Sequence, residues 1–200
     1  MAGKAEGVDF AANMIGMVQR AFPDLAFQVA NGEQLPFDDS TFDVVVCNYT
    51  AHHFARPEVV FKEILRKLKP GGRVVIIHPI QAEQAGWGSF AETLYEVLPP
   101  EQLASGPLID VADPEKYETL LSQWGFVNVR CERKVKPVVF SEIDQLLDAG
   151  WKVGGLKDQP PEIQDRIRAG TIDRAAKYRM ADGSYSFPDV VVVAAGYRLM

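Results

Sequence analysis

The chain has 200 residues, 47% of them apolar and 24% charged, which suffices for one globular domain whose core needs neither metal nor disulfide support. With 27 acidic residues against 21 basic ones and a formal net charge of −6, it offers no basic stripe of the kind that follows a phosphate backbone, so nucleic acid is not an expected partner. The two cysteines, Cys47 and Cys131, lack CxxC spacing; no disulfide framework, zinc site or other metal site is expected, and both thiols are read as reduced and buried.

The opening residues lack the apolar run of a signal peptide, and no apolar stretch approaches the roughly 18 residues that span a bilayer. A cytoplasmic protein without membrane contact is the expectation. Ala5–Phe10 reads as a strand, and Ala11–Ala21, with Met14, Ile15, Met17 and Val18 at helical spacing, as a helix. Leu25–Ala30 and Phe42–Asn48 are the next strands. Pro57–Leu68 is a helix with Pro57 suited to its first turn, and Lys69-Pro70-Gly71-Gly72 is read as a turn into a strand at Arg73–His78. Helices are then predicted at Ser89–Val97, Pro114–Trp124, Ser141–Ala149 and Pro161–Tyr178, with strands at Asn128–Lys134 and Asp189–Arg198 and loops at 99–107 and 154–161. The runs Val44-Val45-Val46, Val74-Val75-Ile76-Ile77 and Val190-Val191-Val192-Val193 are continuously apolar, as in strands covered on both faces, so an α/β fold follows. The helices of about 140–180 read as an insertion that folds over one end of the sheet as a lid, within a single domain spanning 1–200.

Four fragments carry chemistry. Gly7-Val8-Asp9-Phe10-Ala11 places an acid at the carboxyl end of a strand just before a helix, where it either accepts hydrogen bonds from ribose hydroxyls or caps the helix. Ala30-Asn31-Gly32-Glu33-Gln34-Leu35-Pro36-Phe37 follows the second strand. Phe42–Asn48 leads into Tyr49-Thr50-Ala51-His52-His53-Phe54, and Lys67-Leu68-Lys69-Pro70-Gly71-Gly72-Arg73-Val74 closes the series.

In this order the fragments resemble the class I S-adenosylmethionine-dependent methyltransferases, especially the small-molecule branch related to the quinone methyltransferases. The resemblance runs from about residue 5 to 80, with the Phe187-Pro188-Asp189-Val190 strand fitting as well. It implies a Rossmann-like, doubly wound, mostly parallel sheet of about six strands with an antiparallel final strand. It also implies S-adenosylmethionine as cofactor, with Asp9 on the ribose, Phe10 beside the adenine, Asn31 and Gly32 at the adenine edge, and Asn48 in the same cofactor site. The family usually has Asp where Asn31 stands; an amide oxygen can still accept, though without charge. Tyr49, His78 and Trp87 are expected to face the acceptor. His53 or His52 is the candidate general base, set against a role in packing the loop. Trp87, Phe90, Tyr95, Trp151, Tyr178 and Tyr185 can wall an apolar acceptor or fill the core.

The family's glycine-rich loop follows a first, central strand, and this sequence has no GxGxG stretch. The expectation is that this strand is missing or replaced: Ala5–Phe10 pairs instead with Phe42–Asn48, or a second copy contributes structure, or the chain is part of a longer product. A homodimer is expected because an incomplete sheet invites edge pairing. Three functions remain open: methyl transfer to a small organic acceptor, cofactor-independent cyclisation or isomerisation in the same fold, and a catalytically silent partner of a full-length relative.

Overall fold

The computed structural model describes residues 4–103, 114–154 and 158–200. In order these form β1 (Glu6–Asp9), α1 (Ala12–Ala21), β2 (Ala26–Val29), β3 (Phe42–Asn48), α2 (Pro57–Lys67), β4 (Leu68–Gln84), α3 (Ala85–Val97), α4 (Pro114–Gln123), β5 (Val127–Phe140), α5 (Ile143–Gly154), α6 (Pro161–Ala175) and β6 (Tyr185–Tyr197). The fold is α/β and Rossmann-like, as the alternation of apolar runs with helical patterns predicts. Parts of the predicted loops at 99–107 and 154–161 lie outside the described residues. Among the described residues no helix is long and apolar enough to cross a membrane.

The six strands form two sheets rather than one. β1 and β2 pair in parallel, with Glu6 opposite Ala26 and Asp9 opposite Val29. The other four run in the order β3-β4-β6-β5, so the final strand inserts between its two predecessors. The expected pairing of Ala5–Phe10 with Phe42–Asn48 is therefore not made. The reason is local: α1 is the crossover of a β1-α1-β2 unit, and its buried Ile15 holds the two short strands together as parallel neighbours.

The turn expected at Lys69–Gly72 is absorbed into β4, which starts directly after α2. Gly71 has φ of 75°, a conformation that favours glycine, and its N–H donates to the Arg198 carbonyl at 3.1 Å. At Gly72 an added Cβ would stand 2.9 Å from the Lys69 carbonyl oxygen and 3.1 Å from that of Phe42, so only glycine lets these backbones approach.

The chain divides into two compact units, and β4, β5 and β6 each pass from one to the other. In the first, which holds the chain up to Ile76 together with Glu115–Cys131 and Ala194–Met200, the core contains Val60, Phe61, Ile64, Leu68, Val74 and Ile76. Phe61 is fully buried and stacks on Trp124 with ring centroids 4.9 Å apart. Cys47 is buried as expected, and burial pushes its thiol up to about 12; Cys131 is only half-buried because it sits on the open part of β5. In the second unit Phe90, Leu98, Leu147 and Ile167 form one cluster across α3, α5 and α6, and Leu146, Ala175, Tyr185 and Phe187 form another.

Phe61→Ala removes a fully buried ring from the first unit's core, and we expect it to cost about 3–5 kcal/mol, read as a lowered urea midpoint at unchanged slope.

Candidate functional site

The parallel register of β1 and β2 builds one edge of the site. The Ala30 N–H donates to the Asp9 carbonyl at 2.9 Å, so the two strands finish side by side. Phe10 leaves one strand end and Asn31-Gly32 leaves the other. Phe10 is 77% exposed, an apolar ring with little cover in the chain itself.

Asp9 Oδ1 accepts from the Ala11 N–H at 2.8 Å, at the start of α1. The bond closes an Asx turn just ahead of the helix; the N-cap is Ala11, which has no side-chain cap bond, so Asp9 does not cap α1. The turn engages one of about four acceptor sites on a carboxylate, which leaves capacity for a ribose diol. Asn31 Oδ1 accepts from the Glu33 N–H at 3.0 Å, while the Asn31 carbonyl accepts from the Gln34 N–H at the same distance. The amide oxygen retains a second lone pair, so acceptance from an adenine amino group is still chemically available. Gly32 lies against α2, where an added Cβ would stand 3.3 Å from Val60 Cγ1.

β3 ends at Asn48, whose carbonyl accepts from the Thr50 hydroxyl at 3.0 Å. The next residue, Tyr49, has φ of 52°. A bulky side chain in the left-handed region is a genuine outlier, and such strain clusters where a backbone is held for a purpose. No pattern of residue types announces it. One short helical turn, Ala51–His53, follows. It separates the two histidines sharply: His52 is buried at 9% exposure, His53 is exposed, and their ring centroids are 3.9 Å apart.

His78, on β4, and Trp87, on α3, belong to the second unit. His78 is buried, and Trp87 packs on Phe90 with centroids 5.5 Å apart, within the α3-α5-α6 cluster. Of the other aromatic candidates, Phe90 and Tyr185 are buried in that unit's clusters, Tyr178 packs on Phe187, and Tyr95 is 67% exposed. A surface cavity of about 760 Å³ beside Glu115 and Glu118 is lined by none of the predicted site residues, while one of about 520 Å³ beside Arg133 and Arg174 has Tyr178 in its lining. The candidate site is a set of strand ends.

Residues 1–76 match the family described as "Methyltransferase domain". This part of the chain resembles that family. The class I S-adenosylmethionine-dependent methyltransferase resemblance and the Rossmann-like fold stand accordingly. An uncharacterized methyltransferase of Schizosaccharomyces pombe is 30% identical over 164 residues, covering 81% of this chain and 61% of its own. The demethylmenaquinone methyltransferase of Streptomyces griseus is 34% identical over 96 residues, covering 46% of this chain and 40% of its own. The solved structure of YcgJ from Bacillus subtilis is similar at a TM-score of 0.62 and 19% identity, covering 98% of this chain and 83% of that one, a likeness of fold alone. YcgJ, by its curated name an uncharacterized methyltransferase, is 28% identical over 107 residues, covering 51% of this chain and 42% of its own. The aligned chain thus spans about 40–61% of the length of these curated relatives.

Within residues 1–76, sequence reasoning missed α2 as a site element. Glu63 and Lys67 reach back from this helix to the backbone of the loop after β2. Their spacing on one helix face was visible, but not the loop they grip. The electrostatics of the histidine pair is also a product of folding: burial, and then the charge of His53, push His52 down to about 4 from 6.5.

Between those two values the unfolded chain binds a proton that the folded one refuses, so stability is full above about pH 6.5 and falls as the pH drops toward 4. We expect His52 to account for a loss of roughly 2 kcal/mol between pH 7 and pH 5, an acid sensitivity that His52→Gln flattens in urea unfolding at the two pH values.

Proposed function

We propose that this chain transfers a methyl group from S-adenosylmethionine to a small organic acceptor. One observation supports the reading above the others: the parallel register of β1 and β2 sets the Asp9 carboxylate and the Asn31 amide at adjacent strand ends. That donor and acceptor set suits the adenosine part of the cofactor, with a carboxylate for the ribose diol, an amide for the purine edge and the exposed ring of Phe10 for a purine face. Asn48 would close the same site from the end of β3.

When bound, the cofactor supplies an electrophilic methyl carbon on a sulfonium centre. The residues of the chain hold the adenosine, align the acceptor and accept the proton that a hydroxyl, amine or carbon acid gives up. In this reading His53 is the base, because its ring is open to solvent, while the neutral, buried His52 sets the shape of the Tyr49–Phe54 turn. Tyr49, at the exit of β3, would line the acceptor's side. The name of the Streptomyces relative makes demethylated quinones the first acceptors to try.

Isothermal titration with S-adenosylhomocysteine tests the cofactor reading. Binding near micromolar is expected, and Asp9→Ala, which deletes charge-assisted hydrogen bonds, should weaken it by roughly 10- to 100-fold. Absence of binding at millimolar ligand would sink the reading.

We also propose that the partner of this chain is a second copy, joined through β3. This strand ends the four-stranded sheet, with Val44 40% and Val46 60% exposed. Antiparallel pairing about Val45 sets Val44 against Val46 of the other copy and Asp43 against Cys47, so no like charges meet. Light scattering should give twice the 22.2 kDa chain mass, and Val46→Lys should return it to the single-chain value. A wild-type mass of one chain would rule the pairing out.

A further inference from the structure

We propose that Glu63 and Lys67 of α2 are positioning residues: they set the shape of the Asn31–Phe37 loop and through it the recognition of the adenine edge. The inference rests on the cofactor reading above.

The loop has little means of shaping itself. Apart from the turn at Asn31–Gln34 and a Phe37 N–H to Leu35 carbonyl contact of 2.9 Å, its backbone has no regular pairing. Its conformation comes from α2, which holds it at four successive points. Gly32 packs on Val60, the Glu33 carboxylate pairs with Arg56 at the start of the helix, the Leu35 N–H donates to Glu63 Oε1 at 2.9 Å, and the Lys67 ammonium donates to the Phe37 carbonyl.

Two of these contacts come from charged groups that the fold buries. Lys67 is 2% exposed and Glu63 is 9% exposed, with 3.7 Å between Nζ and Oε1. Arg66 adds two bonds to the same carboxylate, from Nε at 2.9 Å and from its terminal nitrogen at 2.8 Å. Asp39 stands 3.5 Å from Lys67 Nζ and pairs with Arg66. A buried ion pair is a weak source of net stability compared with apolar residues of the same volume, so its worth lies in what it holds in place. Here it holds main-chain atoms, Leu35 N and Phe37 O. Such a grip is indifferent to the loop's side chains and acts on the path of the backbone alone.

Asn31 stands at the β2 end of that path. Its side-chain oxygen is committed to Glu33 N–H, so the direction of its remaining lone pair and of its NH₂ group follows the Asn31–Glu33 backbone. Release of the loop at Leu35 and Phe37 lets this backbone sample other shapes. Adenine then loses its advantage over a purine with a different edge.

The test uses the whole chain, S-adenosylhomocysteine and S-inosylhomocysteine, whose purine carries an oxygen in place of the amino group. The wild type should prefer the adenine compound by about tenfold or more in titration calorimetry. The double variant E63Q/K67M, which removes both buried charges together, should keep its circular dichroism spectrum and lose most of that preference, an effect of about tenfold. A folded double variant that keeps the wild-type ratio overturns the positioning role, since loss of stability alone does not change which purine is chosen. A wild type that binds neither compound overturns the cofactor reading, and this inference with it. A second measurement needs no variant: hydrogen exchange at the Leu35 amide of the wild type should be slowed as in a structured element. Exchange there at the rate of an open loop overturns the grip directly.

Discussion

An ammonium group that is 2% exposed must find its solvation inside the protein, and Lys67 finds it in Glu63, Asp39 and the carbonyl of Phe37. The candidate site in the first unit depends on this constraint. Burial works to raise the Glu63 carboxyl, yet the hydrogen bonds from Arg66 and the Leu35 N–H, and then the charges of Arg66 and Lys67, outweigh it and hold the group below the usual carboxylate range. The Glu63 carboxylate therefore stays ionised at neutral pH, and the backbone between β2 and β3 takes the course that satisfies it. The same helix also carries Phe61, whose stacking on Trp124 seats α2 in the core. Core packing fixes the helix, the helix fixes the loop, and the loop presents Asn31.

The strands and helices were legible in the sequence because their apolar patterns are nearly unbroken. Phe42–Asn48 was read to the residue, and α2 begins at Pro57 with Glu58 in its first turn and Arg66 and Lys67 in its last, charges that suit the helix dipole. What failed were features set by partners far along the chain. Pro70-Gly71-Gly72 has the composition of a turn, but the bonds between Gly71, Gly72 and Arg198 draw it into β4. The pairing of β1 was misjudged because the vacant place in a sheet was weighed above the local β1-α1-β2 connection. A short helical crossover between two strands is a strong local constraint, and it prevailed.

The site was legible in its residue types and less so in its conformations. A doublet such as His52-His53 offers two imidazoles with no hint of which is covered, and the fold buries one against the core while leaving the other in solvent. The left-handed backbone of Tyr49 is equally silent in sequence, since tyrosine is among the residues least suited to it. It stands at the exit of β3, and the helical turn that carries both histidines starts two residues later. A strained joint between a rigid strand and a short turn is one way to hold an imidazole pair in a single orientation.

The apolar surface that this unit leaves uncovered is not spread evenly. Met14 and Met17 of α1 are 50% and 55% exposed, Phe10 stands open beside them in sequence, and Val44 and Val46 are exposed on β3. A two-stranded sheet is marginal by itself, and α1 buries only Ile15 fully, so β1 and β2 have less support than the four-stranded sheet. The adenosine contacts proposed here sit on the ends of those two strands. A ligand that bridges Asp9 and Asn31 ties β1 to β2 at the point where the ladder ends, and binding then stabilises the least supported element of the first unit. Cofactor affinity and local order in this unit are in that way two measures of one equilibrium.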